Sequence, residues 1–128
     1  MEMVITLEGK ATVKANFKRH CITTDQPAPG GGDAAPTPFD LFLASIGTCA
    51  GFYVKSFCDQ RNIPTNEIRL IQNMTVDPNT KMITSIDVKI CLPPDFPDKY
   101  KMAVINAAEL CTVKKHLHNP PLITISAS

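Results

Sequence analysis

A helix-forming run that begins at Pro38 and is apolar almost all round constrains this chain more than any other feature. Thr37 suits the N-cap, Pro38 the first helical position, and Asp40 places a carboxylate in the first turn. Leu41, Ile46, Cys49, Tyr53, Val54 and Phe57 recur roughly at helical spacing, while Phe42, Leu43, Ala44, Ala50 and Gly51 widen the apolar surface. The run stops at Arg61-Asn62-Ile63-Pro64. A helix with almost no polar face must be covered on most sides, so it is central to a fold or to an interface.

The flanking segments supply strands. Residues 3–17 partly alternate, with Val4 to Leu7 before a break at Gly9-Lys10 and Ala11, Val13 and Ala15 after it, which predicts two strands and a turn. His20 to Thr24 reads as a third. Asp25 to Pro38 is a loop rich in Pro and Gly. It is not an interdomain linker, because only about 24 residues precede it, too few for a separate core. Beyond the helix, residues 67–77 and 82–92 are strand candidates joined by a turn over Asp77 to Lys81. A second helix follows Asp95, its apolar side drawn from Tyr100, Met102, Ala103, Ile105, Ala107 and Ala108. Cys111 stands where this helix ends and another short one begins, and Leu122 to Ser126 reads as a last strand. The expected order is βββ-α-ββ-α-β, an α+β fold with helices against antiparallel sheet, in one domain over residues 1–128.

Composition narrows the function classes. With 44% apolar and 20% charged residues the chain reads as globular. The net charge is +1, the basic residues are scattered, and two Tyr without Trp leave no basic stripe interleaved with stacking aromatics, so nucleic acid is not an expected partner. No uninterrupted apolar run reaches the roughly 18 residues that span a bilayer. The N-terminus has neither the basic n-region nor the apolar h-region of a signal peptide. The expectation is a cytoplasmic protein without a membrane partner. An odd count of five cysteines argues against a secreted disulfide framework and for thiols that are mostly reduced.

Two of those thiols lie in helix-like apolar runs: Cys49 within Ser45-Ile46-Gly47-Thr48-Cys49-Ala50, and Cys111 within Ala108-Glu109-Leu110-Cys111-Thr112-Val113. Neither has the Cys-x-x-Cys spacing of a zinc or thioredoxin-type site. They are either buried structural thiols or a reactive thiol with its resolving partner. A reactive Cys49 needs a lowered pKa. It sits about three turns into its own helix, where that helix's dipole helps little, so a cation must come from elsewhere.

The run Thr24-Asp25-Gln26-Pro27, then Gly30-Gly31, then Pro36 through Cys49, with the late Ala108 through Val113, resembles the OsmC/Ohr family over nearly the whole chain. The resemblance implies an intertwined homodimer with its two long helices central and its active sites at the subunit interface. It implies a thiol-dependent peroxidase that reduces organic hydroperoxides, with Cys49 attacking, Cys111 resolving, an external dithiol (lipoyl-type among the options) as reductant, and no cofactor. Family members with established activity use an Arg from the N-terminal strands, held by a Glu ten residues before the reactive Cys. Here that position is Phe39, and the acid is Asp40, nine residues before Cys49. A shift of one residue turns a side chain by about 100° around the helix. This placement resembles a less characterised branch of the family. Arg19 is the first candidate for the activating cation and His20 the second. Phe39 also keeps open an alternative: a non-peroxidatic dimer that binds a small apolar ligand or senses redox state.

Cys21, Cys58 and Cys91 read as structural. His116-Leu117-His118 is the only close pair of histidines, short of the paired spacings zinc favours, so no metal is expected. Gly30-Gly31-Gly32 lacks the Lys-Ser/Thr of a phosphate cradle and reads as a flexible loop that in the family lies close to the active site.

Overall fold

The structure is a computed structural model that describes all residues from Met1 to Ser128. It divides into two compact units, Met1–Ala44 and Ser45–Ser128. The elements are α+β throughout, with antiparallel sheets and helices.

In the N-terminal unit, β1 (Val4–Glu8), β2 (Thr12–Phe17) and β3 (His20–Thr24) form an antiparallel meander. Val4 pairs with Asn16 and Leu7 with Val13 across the first hairpin, and Val13 with Thr24 across the second. The turns are made at Gly9 and Lys18, both in the left-handed region with φ of 53° and 55°. The Pro/Gly stretch is not slack connection. It folds around Asp25, whose buried carboxylate accepts the Gln26 N–H at 2.8 Å and the Ala34 N–H at 3.1 Å. These backbone donors hold the Asp25 carboxyl below its ordinary value. Gly31 is required there, because a Cβ would lie 2.3 Å from the Gln26 carbonyl oxygen and 2.6 Å from Asp25 Oδ1.

The long helix, α1 (Pro38–Asp59), forms as its sequence predicts and is closed by side chains and backbone at both ends. Thr37 Oγ1 accepts the Asp40 N–H at 3.1 Å, while Asp40 Oδ2 accepts the Thr37 N–H at 3.0 Å. This reciprocal capping box satisfies two amides. At the other end Asn62 adopts φ of 55°, Ile63 N–H donates to the Cys58 carbonyl at 2.9 Å and Asn62 N–H to the Asp59 carbonyl at 3.3 Å. That pair of bonds is the Schellman pattern, with Asn in place of the usual Gly. By length and composition α1 is sufficient to cross a membrane, although no uninterrupted apolar run suggests it. The core helix of a soluble protein meets the same measure, and α1 buries Ile46, Ala50, Val54, Phe57 and Cys58 as one stripe at i, i+4, i+8, i+11 and i+12.

In the C-terminal unit, β4 (Arg69–Val76) and β5 (Ile83–Cys91) make a two-stranded antiparallel sheet. Asp77 Oδ1 builds their turn by accepting the Asn79 and Thr80 N–H groups at 2.7 and 3.1 Å. A 3₁₀ turn at Asp98–Tyr100 leads into α2 (Lys101–Ala108), and α3 (Thr112–His118) follows. The core gathers Val54, Phe57, Cys58, Phe96 and Val104, with Ile68, Leu70, Ile90 and Tyr100 packed against it.

Two expectations are corrected. The apolar side of α2 centres on Val104, which is fully buried, whereas Met102 and Ile105 are exposed at 67% and 44%. Leu122 to Ser126 forms no strand: a strand needs a neighbouring ladder, and this segment has none within the single chain. Its Leu122, Ile123 and Ile125 are 91%, 80% and 96% exposed.

Candidate active site

Cys49 and Cys111, far apart in sequence, are brought together inside the C-terminal unit. Cys49 lies on α1, half-buried, next to the buried stripe. Cys111 is buried at the junction of α2 and α3, where it serves as the N-cap of α3. Its Sγ accepts the Lys114 N–H at 3.4 Å and lies 3.9 Å from the Ile46 carbonyl oxygen. The Cys111 thiol also stands beside the Cys49 sulfur, close enough for each to act on the other's ionisation. A thiol has one proton, so Cys111 can serve Ile46 or Cys49 but not both at once. The long Ile46 contact is the weaker competitor once Cys49 is ionised.

The two thiols are driven in opposite directions. Partial burial pushes Cys49 up, but the Val113 N–H, the Cys111 thiol and the Thr112 N–H all donate to its sulfur and hold it below the ordinary thiol value. Burial pushes Cys111 up; the Lys114 N–H opposes this, and the adjoining Cys49 sulfur pushes it up further. The arrangement therefore favours a thiolate at Cys49 facing a protonated thiol at Cys111. The donors to Cys49 are backbone groups at the start of α3, a helix remote in sequence from α1. The sequence offered a search for a cation instead, because amides carry no residue signature.

Around the pair, Tyr53 Oη lies 3.1 Å from Thr112 Oγ1, and His116 Nδ1 lies 2.7 Å from the Thr112 carbonyl oxygen. Lys114 and Glu109 form an ion pair. A cavity of about 590 Å³ adjoins, with Ile46, Ala50, Val88, Ile105, Cys111 and Leu117 in its wall. Arg19 lies in the β2–β3 turn of the N-terminal unit and His20 opens β3, both exposed. The Asp40 carboxylate is engaged at the start of α1, on the Thr37 amide. Cys21 is exposed, Cys91 half-buried and Cys58 fully buried in the core; all five cysteines are free thiols. No three His, Cys, Asp or Glu side chains converge as a metal-binding group.

Residues 30–126 match the family model described as OsmC-like protein, and the chain belongs to that family. Among solved structures it is similar to a Psychrobacter arcticus 273-4 protein assigned to osmotic stress induction and the detoxification response. There the TM-score is 0.71 at 20% identity, over 88% of this chain and 85% of that one. The OsmC-like protein of Mycoplasma pneumoniae gives a TM-score of 0.69 at 14% identity, over 93% and 87% of the two chains. The organic hydroperoxide resistance protein OhrB of Bacillus subtilis gives 0.52 at 21%, over 93% of each. At such identities the likeness is one of fold. No curated protein sequence matches the chain.

Proposed function

We propose that this protein is a thiol-dependent peroxidase that reduces organic hydroperoxides, with Cys49 as the attacking thiolate and Cys111 as the resolving thiol. The observation that carries this reading is the juxtaposition of a half-buried Cys49, its thiol held below the ordinary value, with a buried Cys111 whose thiol is pushed above it. The Cys49 thiolate attacks the distal oxygen of the hydroperoxide; the O–O bond breaks, and the alkoxide leaves and is protonated to the alcohol. Cys49 is then a sulfenic acid. The Cys111 sulfur displaces its hydroxyl, forming the disulfide and releasing water. An external dithiol, of lipoyl type in our reading, returns both cysteines to thiols while itself becoming a disulfide. The apolar side chain of Ile46, one turn before Cys49 on α1, suits an alkyl or aryl hydroperoxide. Arg19 or His20 would add a cation to the site, and Asp40 would serve by fixing the start of α1. The test is to expose reduced protein to cumene hydroperoxide and count thiols: two per chain should disappear, from Cys49 and Cys111. Retention of both would sink the reading.

The same reading makes the chain one OsmC-like domain that works as an intertwined homodimer in a reducing, cytoplasmic setting, where free cysteines persist. Its support is the apolar surface a single chain leaves exposed: Leu122, Ile123 and Ile125 at the C-terminus, Phe39 and Phe52 on α1, and Ile5 and Leu7 on β1. Removing residues 120–128 should therefore shift the protein from dimer to monomer or aggregate in sedimentation. A dimer of unchanged affinity would separate the C-terminus from the interface.

A second reading, an apolar-ligand binder without peroxidase activity, is favoured by the cavity of about 590 Å³ and by Phe39. Unchanged hydroperoxide consumption by a Cys49→Ser variant that retains ligand binding would select it.

A further inference from the structure

We infer that Tyr53 is a positioning residue for Cys49: by bonding the Thr112 side chain it holds the Thr112 and Val113 N–H groups against the Cys49 sulfur. The inference rests on Cys49 being the reactive thiol. Cys49 and Tyr53 are i and i+4 on α1, so their side chains rise from the same face one turn apart. Tyr53 Oη reaches Thr112 Oγ1 at 3.1 Å, across from α1 to the first residue of α3. That residue supplies one of the two amides facing Cys49, and its neighbour Val113 supplies the other. Tyr53 itself is braced edge-on by Phe52, with ring centroids 5.4 Å apart at 80°.

Thr112 is thus fixed at two atoms. Its hydroxyl meets Tyr53, and its carbonyl meets the His116 ring. A seven-residue helix has little stability of its own, so its first turn needs such external anchors to keep its amides aimed. Without the tyrosine hydroxyl, α3 remains capped by Cys111 but loses the bond that sets its distance from the reactive side of α1. The titratable group facing Cys49 is Cys111, the residue before Thr112 and the N-cap of α3.

Alkylation by iodoacetamide, resolved by peptide mass spectrometry so that Cys49 is read apart from the other thiols, gives the measurement. Tyr53→Phe and Thr112→Val should each slow Cys49 alkylation at neutral pH by about threefold, the scale of one lost hydrogen bond, and move its pH midpoint upward. Thr112→Ser, which keeps the hydroxyl, should restore wild-type reactivity. The double variant should be no slower than either single. Wild-type rates in both single variants would overturn the inference, as would effects that multiply in the double variant, since Tyr53 would then act on Cys49 without Thr112. If Tyr53→Phe does not fold, the Thr112→Val and Thr112→Ser comparison still decides. Hydroperoxide turnover plays no part in this readout, so a failure of the peroxidase reading and a failure of the Tyr53 role are seen separately.

Discussion

A Cys49→Ser variant is expected to lose hydroperoxide consumption entirely, while Cys111→Ser keeps its first turnover and then stalls. The asymmetry follows from the division of labour between the thiols. Serine at position 49 cannot form a thiolate, so no other group in the pair can open the O–O bond. Serine at position 111 leaves the attack possible but removes the group that condenses with the sulfenic acid. In that variant one equivalent of cumene hydroperoxide should be consumed in a burst, and a dimedone adduct should accumulate at Cys49. A small outside thiol should then restart turnover. Equal loss in both variants, with no adduct, would contradict the assigned order. The pH dependence has a definite sign. Because Cys49 lies below the ordinary thiol value, of about 8.5, its burst rate in wild type should persist as the pH falls through that value and decline only at lower pH. Cys111 is raised, so it stays protonated over the same range. The serine hydroxyl of Cys111→Ser can still donate to Cys49, whereas Cys111→Ala removes the donor outright, so the burst of Cys111→Ala should weaken at higher pH than that of wild type.

Local chemistry made much of the fold readable. Thr37, Pro38 and Asp40 announce the start of α1, and the capping bonds are those their side chains are built to make. Gly9 and the Asp77 turn mark hairpins for the same reason: each supplies a conformation or an acceptor that the backbone needs. What escaped the sequence depends on distant parts of the chain. Leu122 to Ile125 carries the composition of a strand, but composition does not provide the neighbour that a ladder requires. In α2 the residues Met102, Val104 and Ile105 are all apolar, and only the placement of α2 against the cluster of Val54, Phe57, Cys58 and Phe96 selects Val104 for burial. At the site, the cysteine pair was legible, whereas the groups that tune Cys49 are main-chain amides of Thr112 and Val113, whose side chains say nothing about them. Cys111 as the N-cap of α3 was missed because sulfur is a weak acceptor and seldom fills that position.

The second large effect expected is on stability, from Phe57→Ala. Phe57 is nearly buried in the C-terminal core and meets the Tyr100 ring edge-on, with centroids 5.8 Å apart. The Arg61 guanidinium carbon lies 3.7 Å from its centroid and 5.5 Å from that of Tyr100, and Arg61 Nη1 donates to the Phe57 carbonyl at 3.0 Å. Truncation would open a ring-sized void between α1 and α2 and remove the face on which Arg61 rests. The cost of such a change is about 3–5 kcal/mol, against a total stability for a domain of this kind of about 5–15 kcal/mol. Met102→Ala on α2 provides the contrast. Its side chain is 67% exposed, so its removal should cost no more than about 0.5 kcal/mol. Urea unfolding followed by far-ultraviolet circular dichroism measures both. Similar losses for the two variants would mean that α2 presents a different face to the core from the one described. A large loss at Phe57 alone places the stabilising contact of the C-terminal unit between α1 and the turn that begins α2, on the same helix that carries Cys49.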